Sequence, residues 1–455
     1  VLRTTRVLAA TALSALVAAP FSSGVRADTG ALLIRDVTLL DGTGAAERPG
    51  VSVEVRDGKI FAIHQIAPTT TNAAVIDGRG KYLIPGLVDT HVHLQGGRVP
   101  VPGGGVRVDR QLALRTLHGY LYCGVTSIVD QGNSADFIFG LRDEERAGTL
   151  LAPRIFATGA NITVPGGYGD NAFSLKISNL DADRDMLGRH FARRPDIQKF
   201  LYDDLATAGA RRAPVIPDAL FSDAVAMAHA AGVRTTVHVV DEHGARTALT
   251  AGIDALSHTV RAGQSSQLTT LIRERGVTVS TTLTVLTHIA RVAEDPGFLD
   301  DGLFRATVEP AQLEAQKGAE RARYIESGMS ARFQAMLPGF FANARHLHDA
   351  GVPLALGTDR TWGASVHMEL ALLQEAGIPL KDLLRIATLN GALYLGRERE
   401  FGSIEPGKFA DMLLLTANPL ETVKAYGAIE MVFKGGQRVD RSALDVPANR
   451  RDDSR

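Results

Sequence analysis

Two histidines, His91 and His93, stand one residue apart in the apolar run "IPGLVDTHVHL". A strand turns alternate side chains to opposite faces, so both imidazoles point the same way. Imidazole is the commonest protein ligand for zinc and related divalent metals. The flanking residues are too apolar for a solvent face, which favours an enclosed site. Two further histidines end apolar runs: His238 in "RTTVHVV" and His258 in "DALSHTV". Between them "DEHGARTALTAGI" reads as a helix ending in a glycine turn, so the two belong to neighbouring strands. Asp359 closes "VPLALGTD" and supplies a carboxylate. Lys199 lies in "DIQKFLYDD" among apolar residues, where a charged amine is costly unless neutralised or converted. Carboxylated by CO2, it becomes an anionic oxygen ligand that can bridge two cations. Four histidines, one carboxylate and such a bridge suit a metal pair about 3.5–4 Å apart.

These residues need a scaffold that brings strand ends together. Eight apolar segments alternate with helical ones: "LIPGLVD", "VTSIVDQG", "RIFATG", "IQKFLYD", "RTTVHVV", "DALSHTV", "VTVSTTLT" and "PLALGTD". This is the pattern of an α/β chain folded as a (β/α)8 TIM barrel, whose catalytic residues sit at the carboxyl ends of the strands. Residues 28–85 and 401–440 read instead as short strands with Asp-Gly and Gly-Gly turns, and are expected to form one small β-sandwich domain from both chain ends. The barrel then occupies 86–400, with a tail over 441–455. Extra length falls at 160–185 and at 289–345, the latter with helical spacing and read as a lid beside the site. "PVPGGGV" after the first histidine pair reads as a loop over it.

The bulk composition is that of a globular protein: 455 residues, 45% hydrophobic, 22% charged, formal net charge −1. Near-neutrality argues against nucleic acid or an anionic membrane as partner and leaves a small-molecule substrate. Assembly into a homo-oligomer is left open. Arg3 and Arg6 precede an apolar stretch over 7–21, followed by "VRAD", the layout of a Sec signal peptide cleaved near Ala27. The expected location is therefore the periplasm, with no span in the remaining chain. Cys123, the single cysteine, has apolar neighbours and reads as a buried structural thiol.

Taken in order, the motifs resemble the amidohydrolase superfamily, in its prolidase-like and imidazolonepropionase-like branch. "IPGLVDTHVHL" resembles its first-strand signature, and "VHVV…ALTAGIDALSH" the segment with its third and fourth histidines. "GTD…HMELALLQEAGIP…LLRIATLNGALYLG" resembles the eighth strand and following helices, and "GSIEPGKFADMLLL" the closing sheet segment. The resemblance implies that His91, His93 and Asp359 bind the more buried of two divalent ions, most simply Zn2+. It places His238 and His258 on the more exposed one, with Lys199 as a carboxylated bridge. Gln198 departs from the apolar residue usual before that lysine, and without carboxylation a single-metal site follows. Asp359 would orient the attacking water as base and pass its proton to the leaving nitrogen.

Relatives that act on dipeptides carry a histidine where "VPGGYGD" has Tyr168, so Tyr168 is a candidate substrate contact. Arg360, Tyr202 and His367 are others, and Asp203 and Asp204 are placed at the pocket mouth. Deaminases and imidazolonepropionases carry a glutamate three residues after the third histidine, where this chain has Asp241 followed by Glu242. His64, His118, His190, His229, His243, His288, His346 and His348 read as structural or solvated. The resulting expectation is hydrolysis of a linear amide, in a dipeptide or N-acyl amino acid. The alternatives are a one-metal cyclic-amide hydrolase or deaminase, a lactonase or organophosphate hydrolase on the same site, and a scaffold without activity.

Overall fold

A computed structural model of the chain describes residues 31–68, 72–97, 99–101, 106–209, 211–261 and 263–450. The expected signal peptide, the centre of the "PVPGGGV" loop and the last residues of the tail lie outside the described residues.

Each of the eight apolar segments forms a strand. They are β1 (Leu87–Val92), β2 (Val125–Asp130), β3 (Arg154–Ala157), β4 (Gln198–Leu201), β5 (Thr235–His238), β6 (Ala255–Leu256), β7 (Thr278–Ser280) and β8 (Leu354–Ala355). β1, β2 and β3 form one parallel sheet, and β4 to β8 run parallel in sequence order in a second. Backbone bonds link the two: Thr90 N–H donates to Leu356 O (2.9 Å) and Asp359 N–H to His91 O (2.8 Å). On the other side Asp196 N–H donates to Ala157 O (3.0 Å). All eight strands therefore present their carboxyl ends to one side.

Helices return the chain between strands, with side-chain caps where the sequence offers them. Asp109 caps helix Arg110–Tyr122, and Asp241 caps helix Glu242–Ala251 by accepting from Gly244 N–H. The latter helix stops at Gly252, whose φ of +87° suits glycine.

The run "LIPGLVD" divides between two sheets. Tyr82–Pro85 pairs antiparallel with Met412–Leu415, in an eight-stranded sheet drawn from both ends of the chain. β1 begins at Leu87. Gly86 stands at the crossing, where an added Cβ would lie 2.1 Å from Thr126 Oγ1, so only glycine fits. The terminal sheet has its own apolar cluster, including Ile34, Val53, Leu83, Met412, Leu414 and Phe433. Two buried ion pairs tie it to the rest: Arg154 with Asp411 (2.5 Å) and Lys434 with Glu145 (2.7 Å).

The segment over 289–345 is helical, as its spacing predicts. It includes a π-turn at Gln316–Glu320 and a long helix, Met329–Asp349. It rests against the carboxyl ends of the strands: Gln312 Nε2 donates to Gln95 Oε1 (3.1 Å) and Asn343 Nδ2 to Val260 O (2.8 Å). No helix among the described residues is long and apolar enough to cross a membrane. Cys123 is buried, and burial pushes its thiol up to about 12.

Candidate metal centre

The six residues singled out by type and spacing meet at the carboxyl ends of β1, β4, β5, β6 and β8. His91 and His93 leave the same face of β1. The Nδ1 of His91 faces Ser257 O (2.9 Å) and that of His93 faces Gly132 O (3.2 Å). A carbonyl only accepts, so those nitrogens carry the protons and each Nε2 presents a lone pair. Both Nε2 atoms lie 3.4 Å from Asp359 Oδ1. Asp359 itself is held at φ +50°, a conformation that costs a non-glycine residue energy and recurs at functional sites. Gly357 allows β8 this approach, since a Cβ there would sit 2.0 Å from Ser280 Oγ and 3.0 Å from His91 Cβ. Beneath them the buried Asp89 accepts from His91 N–H (3.1 Å), Thr358 N–H (3.0 Å) and the Thr358 hydroxyl (2.7 Å), tying β1 to β8.

On the far side of the cluster the His258 Nε2 lies 2.8 Å from His238 Nδ1. Each ring is oriented from behind: His238 Nε2 donates to Asp203 Oδ2 (3.0 Å), and His258 Nδ1 lies 3.0 Å from Thr282 Oγ1. Between the two halves sits Lys199, 2% exposed, with its Nζ 2.9 Å from His91 Nε2. One ligand atom each from His91, His258 and Asp359 falls within 4.8 Å of the others.

The electrostatics agree with the geometry. Burial holds His91 and His258 well below the ordinary imidazole range and takes His238 to about 4, so these rings are neutral at pH 7. Burial also pulls Lys199 down to about 8, against the opposing pull of Asp359 and Asp130. Burial alone would raise Asp359, but His91, His93 and His258 hold its carboxyl well below the usual value. Neutral imidazoles with lone pairs turned inward, oxygen partners behind them and an ionised carboxylate are a donor set that fits divalent cations. Lys199 also meets the chemical need of carboxylation, a buried amine with a substantial neutral fraction. Gln198, the departure from the usual pattern, is fully paired: it contacts His190 Nε2 (2.8 Å) and donates to Ala160 O (3.0 Å) and Lys199 O (2.8 Å).

Of the expected substrate contacts, the structure brings two to the cluster. The Tyr168 ring lies 4.5 Å from that of His238, centroid to centroid, and Arg360 follows Asp359 directly. Tyr202 is a correction. Its hydroxyl donates to Asp218 Oδ1 (2.8 Å) and its ring packs on Phe221, so it is committed to the helix Asp218–Ala230 outside the strands. His367 is another. Its Nε2 donates to Cys123 O (2.9 Å), and it lines a separate cavity of about 670 Å³ with Phe298, Leu303 and Met368. Asp203, placed at the pocket mouth by sequence, is buried and orients His238 instead. Thr282 was not legible at all, because a threonine just past a strand end carries no periodic signal. His288, which reads as structural or solvated in the sequence, is fully buried near Arg360.

Comparison with known proteins gives the family and the fold. A model of the Amidohydrolase family matches residues 82–439. The imidazolonepropionase of Geobacillus thermodenitrificans is 27% identical, over 85% of this chain and 89% of its own. Among solved structures, a Xaa-Pro dipeptidase with bound methionine in its active site superposes with TM-score 0.72 at 22% identity, covering 90% of this chain and all of that one. The A. niger ochratoxinase gives TM-score 0.72 at 19% identity, covering 90% and 95%. At these identities the two structures share the fold.

Proposed function

This chain belongs to the amidohydrolase family and is a hydrolase of carbon–nitrogen bonds; from that premise we propose that it cleaves a linear amide, in a dipeptide or N-acyl amino acid, at a pair of divalent cations. His91, His93 and Asp359 would hold the deeper cation, His238 and His258 the other, and Lys199, carboxylated, would bridge them. Nitrogen and carboxylate donors of this kind suit zinc. The observation that carries the binuclear reading is the Lys199 amine, buried between the two histidine pairs and 2.9 Å from His91 Nε2. In this reading the two parallel sheets are one (β/α)8 barrel over 86–400, and the terminal sheet is a small sandwich domain.

Cations bound there supply Lewis acidity and can bring a water pKa to about 7. The protein's own residues do the rest. Asp359, ionised and fixed by its left-handed backbone, takes the proton of the attacking water and delivers it to the leaving nitrogen. Asp203 and Thr282 keep His238 and His258 in the orientation that leaves their inner nitrogens free. Tyr168, against His238, is placed to donate to a substrate oxygen.

A cyclic-amide substrate is the second reading, favoured by the imidazolonepropionase relatives. Against it, the acidic residues nearest the position of the expected glutamate are occupied. Asp241 caps its helix, and Glu242 bonds Ser265 and Arg246. The deciding experiment screens zinc-loaded protein against N-acyl amino acids, dipeptides, cyclic amides, lactones and phosphotriesters, alongside metal analysis. Linear amides turn over fastest, with two cations per chain and one in Lys199→Ala. Preference for cyclic amides, with one cation in both proteins, overturns the reading.

A further inference from the structure

Beside the metal centre, the carboxyl ends of β7 and β8 carry polar groups that the fold leaves unpaired. The Arg360 backbone is fixed by a parallel bridge to Val92 and by the Tyr120 hydroxyl, which donates to its carbonyl (3.4 Å). Its guanidinium lies 5.4 Å from the centroid of the Trp362 ring and bonds the Tyr324 hydroxyl. Among the described residues no carboxylate lies within ion-pair distance of it, the charge of Asp359 reaching it only from farther off. A half-buried guanidinium with no ion-pair partner has donors left to engage an anion.

His288 and Trp362 stand next to it, with ring centroids 5.8 Å apart. His288 is fully buried and Trp362 is 8% exposed. The His288 Nε2 faces Gln316 Oε1 at 2.9 Å, so that nitrogen carries the proton and Nδ1 is a bare acceptor. Among the described residues neither His288 Nδ1 nor the Trp362 indole N–H has a hydrogen-bond partner. Buried polar groups are nearly always satisfied, and each left unpaired costs about 1–3 kcal/mol. Water could satisfy the donor and the acceptor, but it gives the guanidinium no anion at ion-pair distance.

We propose that Arg360, Trp362 and His288 form a subsite for a carboxylate on the substrate. The carboxylate meets the guanidinium and the indole N–H, and the bare Nδ1 of His288 accepts from a neighbouring amide N–H. Tyr324 and Gln316, both from the 289–345 insertion, are positioning residues that hold Arg360 and His288. The proposal rests on the amide-hydrolase reading and narrows it: preferred substrates keep a free carboxylate beside the cleaved bond, and neutral amides are poor.

Trp362 is the only tryptophan of the chain, so its fluorescence reports directly on this subsite. The test titrates hippurate and neutral hippuramide into zinc-loaded full-length protein, wild type and Arg360→Gln, with Arg360→Lys as the conservative variant. Hippurate is expected to give a saturable change and to bind roughly ten-fold more tightly than hippuramide, the effect of a hydrogen bond to a charged group. Arg360→Gln abolishes that advantage and Arg360→Lys restores part of it. A hippurate advantage that survives in Arg360→Gln places the carboxylate on the metals and overturns the subsite. Equal binding of the two probes by wild type, or no response to hippurate, overturns it as well. Failure of the hydrolase reading looks different: the carboxylate preference persists and depends on Arg360, while no linear amide is cleaved.

Discussion

The metal centre and the pocket mouth beside it adjoin at Asp359 and Arg360, yet they are assembled on opposite principles. Every residue of the centre lies on a strand or just past its carboxyl end, and each of the four histidines has an oxygen behind its ring. The mouth draws Arg360 from an isolated bridge past β8, His288 from a helix, and Gln316 and Tyr324 from an insertion between β7 and β8. The centre is therefore built on the strands themselves, whereas the mouth depends on the inserted segment. In the proposed reading, chemistry belongs to the first region and selectivity to the second.

Substitutions can break that division, beginning with the largest expected effect. Asp359→Asn should lower kcat by about 10²–10⁴-fold, the range for a lost proton-transfer group, with an unchanged circular dichroism spectrum. Turnover near wild type would remove Asp359 from the proton path. Asp203→Asn should weaken cation binding by about 10–100-fold in chelator competition, since it orients His238 without touching substrate. Unaltered metal affinity would mean that His238 needs no support. Gln316→Ala should raise KM about three- to ten-fold for carboxylate substrates, in line with one neutral hydrogen bond, and leave kcat in place. If neutral amides suffer equally, the mouth contributes structure and not selectivity. The smallest effect is expected for Tyr202→Phe, which should cost about 1 kcal/mol of stability in urea unfolding through its lost bond to Asp218. A collapse of turnover in that variant would return Tyr202 to the site.

The same division decides what could be read from sequence. A two-residue period identified His91 and His93, and one histidine per adjacent strand identified His238 and His258, because strand geometry fixes where such residues point. The eight strand segments were legible for the same reason. Their sheet membership was less so: "LIPGLVD" is apolar throughout, and only the contact of Gly86 with Thr126 reveals that it feeds two sheets. Past a strand end no period constrains direction. Tyr202 and His367 therefore carried plausible spacing but turn to Asp218 and Cys123. His288 lies on a helix in no recognisable motif, and its open Nδ1 exists only once Gln316 has claimed the other nitrogen.

The sheet that joins the two chain ends also imposes an order on synthesis. Lys81 bonds Glu430 across 349 positions, and Leu83 pairs with Leu414. During elongation the early strands can pair with one another, but the edge of Tyr82–Pro85 stays open until Met412–Leu415 has emerged with almost the whole chain. Contacts so distant in sequence slow folding and leave strands prone to misassociation. Closing this sheet, far from the metals, is thus expected to be the late, rate-limiting event in the maturation of the enzyme, and a refolding time course monitored at Met412–Leu415 should lag one monitored at Trp362.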